Sequence, residues 1–166
     1  VDENVEIKTK YLYRVTGFND DYQSPVTDSV AIWANMIPVK GYVTYTGLDN
    51  AVLVDNGYLN NYDNENSHYL KAEPYEGMHY QVEFLSMDTE KDVDILKVTS
   101  GYWDEWTFSG TELPEKFTST SDDGSFEFEW EPRTEMQHAG FEIFIKQVDL
   151  TAVSSLNHDA DMKMYP

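Results

Sequence analysis

The segment Phe126-Glu127-Phe128-Glu129-Trp130 alternates strictly between large aromatics and glutamates. Successive side chains of a strand point to opposite faces, so this pattern writes one buried and one solvated face into a single segment. Helical spacing of apolar residues is nearly absent from the rest of the chain, and short alternating runs recur between Gly, Asn, Asp and Pro signals. These runs predict strands at Tyr11–Val15, Ser29–Trp33, Gly41–Tyr45, Ala51–Asp55, His68–Glu73, Met78–Leu85, Asp94–Thr99, Glu115–Thr120, Ser125–Glu131 and Ala139–Val148. The turn formers from Gly17 to Pro25 join the first two into a hairpin, Gly101–Phe108 reads as a loop, and Asp122-Asp123-Gly124-Ser125 reads as a hairpin turn. The pattern describes an all-β chain: an antiparallel two-sheet β-sandwich or jelly roll with an extra N-terminal β-hairpin. Its core is expected to include Phe84, Ile95, Leu96, Phe126, Phe128, Trp130, Phe141 and Phe144.

Composition narrows what such a sandwich can do. The 166 residues suit one domain, or one domain with a fragment of another, and 40% hydrophobic with 14% aromatic residues supplies a core. Asp and Glu number 31 against 11 Lys and Arg, a net charge of −20. That surface repels phosphate backbones and anionic membranes, which argues against a nucleic-acid partner. It is compatible with solubility and with divalent cations. The absence of cysteine excludes disulfides and thiolate chemistry within the chain. No apolar run reaches the ~20 residues of a membrane helix, so membrane insertion is not expected. Val1-Asp2-Glu3 reads as a start inside a longer polypeptide.

From about Val52 to Val148 the order of short motifs resembles a CUB domain. Asn56 to Asn64, with Tyr58 and Tyr62, resembles the family's opening "S-P-N-Y-P-x-x-Y-P". Met78 to Glu90 resembles the strand ending in "F-D-L-E", and Asp92 to Gly101 resembles "Y-D-x-L-x-I-x-D-G". Phe108-Ser109-Gly110, Phe117 to Ser121 and Gly140-Phe141 follow in family order. Ser67 and Ser109 stand at two of the family's cysteine positions, so the core must hold without those cross-links. Two flanking segments resemble other modules. Thr9–Asn19 with Ser24-Pro25 and Ser29-Val30 is similar to the last two strands of a fibronectin type III domain. Leu156–Pro166 is similar to the opening of a type IX secretion sorting domain of Bacteroidetes-type proteins. The expected organisation is a fibronectin-like hairpin over 1–36, a CUB-like sandwich over 37–149, and a linker with the start of a sorting domain over 150–166.

The resemblance implies a calcium site. Tyr62, Glu90 and Asp94 match three ligand positions, and calcium's demand for six to eight oxygens suits clustered carboxylates. Arg133 falls where the family has a further Asp, with Glu131 and Glu135 beside it. Glu131 is the expected substitute, and Asp88, Asp92 and Asp104 are further candidates; the alternative is a salt bridge from Arg133 in place of the ion. A second candidate site is the run Tyr102-Trp103-Asp104-Glu105-Trp106, where Tyr102, Trp103 and Trp106 would stack on a sugar or anchor a protein. The opposing reading places these rings in the core. His68, His79, His138 and His158 show no metal-ligand spacing, and no G-x-S-x-G, P-loop or H-E-x-x-H occurs.

These features lead to the expectation of a non-catalytic accessory module of a secreted or cell-surface bacterial protein, binding protein or carbohydrate with calcium as cofactor. The alternative is a structural spacer between an upstream catalytic domain of the same polypeptide, a peptidase or glycosidase, and the secretion signal.

Overall fold

The computed structural model describes residues 9–18, 23–25, 30–33, 35–57, 60–63, 67–133, 136 and 138–150. The sorting-domain resemblance, His158 and Glu135 lie outside the described residues. Twelve strands are described: β1 (Lys10–Tyr13), β2 (Val30–Trp33), β3 (Met36–Pro38), β4 (Tyr42–Thr46), β5 (Ala51–Val54), β6 (His68–Glu73), β7 (His79–Asp88), β8 (Ile95–Ser100), β9 (Asp104–Phe108), β10 (Phe117–Thr118), β11 (Phe126–Glu131) and β12 (Gly140–Val148).

Ten of them form two five-stranded sheets, ordered β10-β7-β12-β5-β3 and β4-β6-β11-β8-β9, and β1 pairs with β2 in a separate hairpin. The fold is thus the expected all-β sandwich. Two edge pairings, β3 with β5 and β4 with β6, are parallel, whereas every other strand pair is antiparallel. The cause is the route of the chain: β3, β4, β5 and β6 alternate between the sheets, so each sheet receives every second strand running the same way.

The aromatic–glutamate alternation of β11 places Phe126, Phe128 and Trp130 inside and Glu127, Glu129 and Glu131 on the half-exposed face. β11 lies at the centre of its sheet, between β6 and β8, which is why its inward face carries the largest rings. Leu70, Leu96 and Val98 extend that face, and Tyr80, Val82, Phe84, Phe141, Ile143 and Ile145 from the other sheet close the core. Of the expected core, Ile95 is displaced: β8 alternates from a half-buried Ile95 to a buried Leu96, so only one of these neighbours can face inward. Phe144 is buried as expected, but with Val52 and Val54 in a second cluster rather than in the main core. Because Ala51 and Leu53 belong to the main core, β5 is buried on both faces.

Asp122 to Ser125 is a turn, closed by the Gly124 amide donating to the Ser121 carbonyl at 3.0 Å, but not a hairpin. β10 pairs with β7 and β11 with β6 and β8, so the turn is a corner between the sheets. Ser109, at a cysteine position of the resemblance, makes a hydrogen bond instead of a cross-link: its Oγ accepts from the Asp92 amide at 3.0 Å.

Candidate functional site

The two ends of β8 carry the two candidate sites. At its start, Asp94 is fully buried. Its Oδ2 accepts from the Tyr62 hydroxyl at 2.5 Å and its Oδ1 from the Arg133 amide at 2.6 Å. The Tyr62 ring packs edge-on against Trp130, centroids 5.1 Å apart, and Trp130 packs edge-on against Phe141 at 5.3 Å. Trp130 Nε1 donates to Asn56 Oδ1 at 2.8 Å, and Asn56 Nδ2 donates to the Asp63 carbonyl at 3.0 Å. Burial, then the hydrogen bond to Asp94, pushes the Tyr62 hydroxyl well above its ordinary pKa, so it remains a donor.

The structure therefore brings Tyr62 and Asp94 together. Glu90 lies beside them through its backbone, its carbonyl accepting from the Asp94 amide at 3.0 Å, whereas the side chains of Glu131 and Asp88 are engaged elsewhere. Glu131 forms an ion pair with the Arg133 guanidinium, and Asp88 accepts or pairs with His138 Nδ1 at 3.1 Å. Among the described residues, no three acidic or histidine side chains converge so as to hold a metal ion. Asp104 is remote in register, opposite Ser100 at the far end of β8. Each oxygen of Asp94 accepts one hydrogen bond from a protein donor, and calcium needs six to eight oxygens. The residues present do not fit a closed calcium cage in this arrangement. The expected salt-bridge alternative is also modified, because Arg133 reaches Asp94 through its backbone amide and gives its side chain to Glu131.

At the other end of β8, Ser100 faces Asp104 across a hairpin whose loop is Gly101-Tyr102-Trp103. Gly101 has φ of +65°, a left-handed conformation that glycine adopts without a Cβ penalty. The hairpin is braced from the side. Ser100 Oγ accepts from the amides of Thr120 and Ser121 at 2.9 and 3.0 Å and donates to the Ser125 carbonyl at 3.2 Å. Thr120 Oγ1 donates to Asp104. On this braced tip, Tyr102 is 96% and Trp103 93% exposed. Together with Asp104, Thr120, Asp122 and Asp123 they line a groove. Hydrogen bonds from the Ser125 hydroxyl hold the Asp123 carboxyl below its ordinary pKa, so it is ionised at neutral pH.

Trp106 does not belong to this surface. It lies in β9, opposite Val98, and its ring packs on Phe117 at 4.7 Å and on Phe126 at 6.2 Å. The three aromatics therefore divide: Tyr102 and Trp103 face solvent, and Trp106 adds to the core. The alternation Trp106-Thr107-Phe108 was a legible strand signal inside the stretch read as a loop. The bracing by Ser100 and Thr120 had no signal in sequence, since it depends on two segments meeting about twenty residues apart.

No protein-family model matches the chain, and no curated protein matches it. Solved structures do. The fold is similar to the full extracellular region of zebrafish Gpr126/Adgrg6, at 22% identity and TM-score 0.59, covering 67% of this chain and 15% of that one. It is similar to the CUB1-EGF-CUB2 domain of human MASP-1/3, at 17% identity and TM-score 0.59, covering 66% of this chain and 42% of that one. The MASP-1 CUB2 domain bound to Ca2+ is a third match, at 19% identity and TM-score 0.51, covering 57% of this chain and 89% of that domain. The chain thus spans less than half of the first two. The sandwich is CUB-like in fold.

Proposed function

We propose that the chain is a non-catalytic binding module of a secreted or cell-surface protein, and that it engages its ligand through the β8–β9 tip. One observation carries the reading: Tyr102 and Trp103 present two almost fully exposed rings on a three-residue loop braced by Ser100, Thr120 and Asp104. An aromatic ring offers 150–250 Å² for burial, at about 25 cal/mol per Å². Covering both rings with a partner therefore makes several kcal/mol available, on a support whose ordering cost the fold has already met.

Several observations support a non-catalytic role. Among the described residues the acid with a clearly raised pKa, Asp55, is buried and hydrogen bonded to backbone amides. The tyrosines raised to about 12, Tyr69 and Tyr80, lie in the strands β6 and β7. Of the groove acids, Asp123 is shifted down, away from neutrality. An extracellular setting is supported by the likeness to an extracellular region. Calcium dependence, implied by the resemblance and by the Ca2+-bound MASP-1 CUB2 domain, would need Glu90 and Glu131 to join Asp94. Because Glu131 is held by Arg133, the reading here is of binding without a resident ion.

The test is a titration of the isotopically labelled protein with a panel of neutral oligosaccharides and short peptides, following backbone and indole resonances. Shifts confined to residues 100–104 and 120–123, abolished in the Tyr102→Ala/Trp103→Ala variant, are expected. A panel that leaves the tip unperturbed throughout would favour a spacer role for the sandwich.

A further inference from the structure

We propose that the tip takes an extended basic segment of a partner protein, with arginine or lysine side chains laid over Trp103 and Tyr102 and paired with the surrounding carboxylates. This rests on the tip being the binding surface. The argument begins with the rings, which are exposed by 93% and 96%. A cation is attracted to the face of an aromatic ring, most strongly to tryptophan. Asp104, Asp122 and Asp123 line the same groove, and among the described residues neither lysine nor arginine does.

A second groove continues from Asp122 and Asp123 to Glu76 and Tyr75, whose ring is 62% exposed, and no lysine or arginine lines it among the described residues; Glu73, also in its lining, is paired with Lys71 at 2.8 Å. The two grooves share the Asp122-Asp123 pair. Together they repeat one motif, an exposed ring beside acids, along a continuous track. A lone small cation would use one such unit; a track of two fits consecutive basic side chains of an extended peptide. The net charge of −20 adds long-range attraction for such a partner.

The experiment titrates the whole chain with a short arginine–glycine repeat peptide and with the same peptide carrying citrulline, by calorimetry and by the Trp103 indole resonance. Saturable binding of the arginine peptide with a shifted Trp103 indole is expected, with citrulline weakening it by at least about tenfold. Trp103→Ala and the pair Asp122→Asn/Asp123→Asn should each lose at least about tenfold, whereas Asp92→Asn, at the opposite end of β8, should bind as the parent does. Equal binding by Trp103→Ala, or an equal loss in Asp92→Asn, would reduce the effect to diffuse attraction and overturn the proposal. If a neutral oligosaccharide or the citrulline peptide shifts Trp103 as strongly, the tip remains the binding surface and the basic partner is wrong. If no probe moves Trp103, both fall.

Discussion

The Tyr62 hydroxyl donates to Asp94 Oδ2 at 2.5 Å, with both side chains fully buried. Together with the Arg133 amide on Oδ1, this ties two segments distant in sequence to one carboxylate. A hydrogen bond to a charged group contributes about 1.5–3 kcal/mol, and an orphaned buried acceptor costs about as much. Tyr62→Phe keeps the ring contact with Trp130 and removes only the donor. It should lower unfolding free energy by about 1.5–3 kcal/mol in chemical denaturation. An unchanged midpoint would mean that the contact adds nothing to stability.

Trp103 and Trp106 should respond oppositely to truncation although they are three residues apart. Trp106 packs on Phe117 and Phe126, so Trp106→Ala should cost about 3 kcal/mol or more. Trp103 is 93% exposed, so Trp103→Ala should stay within about 0.5 kcal/mol of the parent. Thermal melts of the two variants check this, and a reversed order would place the wrong ring in the core.

The same pair shows what was legible in sequence. β11 could be read directly because its aromatics and glutamates alternate without a break and its large residues all face the core. β9 follows the same rule with weaker contrast: its burial runs exposed, exposed, half-buried, exposed, half-buried. The flanking Gly101 and acidic residues disguised it as a loop. Hydrophobicity alone could not separate Ile95 from Leu96, because only the register of β8 decides which faces inward. At the Asp94 end, the resemblance assigned Tyr62 and Asp94 to one site as calcium ligands, and the direct hydrogen bond between them was not legible. The Arg133 amide was illegible there, because a backbone donor leaves no trace in side-chain identity.

Asp55 should make stability depend on pH. It is buried, with Oδ1 accepting from the Gly57 amide at 2.8 Å and Oδ2 from the Phe141 amide at 3.2 Å. Burial outweighs those donors and raises its pKa from 3.8 to about 6. The folded state thus binds this proton more tightly than the unfolded state. The contribution is fully present below about pH 4 and lost as pH rises through about 6, on the order of 3 kcal/mol in all. Repulsion among 31 acids follows the same direction, so the comparison must be with Asp55→Asn. That variant should be less stable at pH 4.5 and show a flatter profile from there to pH 7; parallel profiles would remove Asp55 as the cause. Gly140 guards the same carboxylate: its φ is +83° and an added Cβ would lie 1.8 Å from Oδ2. Gly140→Ala should therefore destabilise at every pH.

Calcium should leave the melting temperature of the parent chain where sodium chloride of matched ionic strength leaves it. Screening alone relieves part of the repulsion on a surface of charge −20, so the salt-matched control is essential. The reason for expecting no specific effect is the disposition of Arg133. Its guanidinium holds Glu131, so this residue withdraws one carboxylate from a metal and supplies none of its own. Arg133→Asp keeps the amide, frees Glu131 and adds a carboxylate beside Asp94. The variant should acquire a calcium response that magnesium, with its demand for octahedral geometry, does not reproduce. At a hundredfold excess over the dissociation constant the added stability would be about 2.7 kcal/mol. Without calcium, the variant should be less stable than the parent, because like charges then crowd Asp94 unpaired. A specific calcium response in the parent itself would show that Glu131 leaves Arg133 readily, and that the ion, rather than protein donors, organises this end of the sandwich.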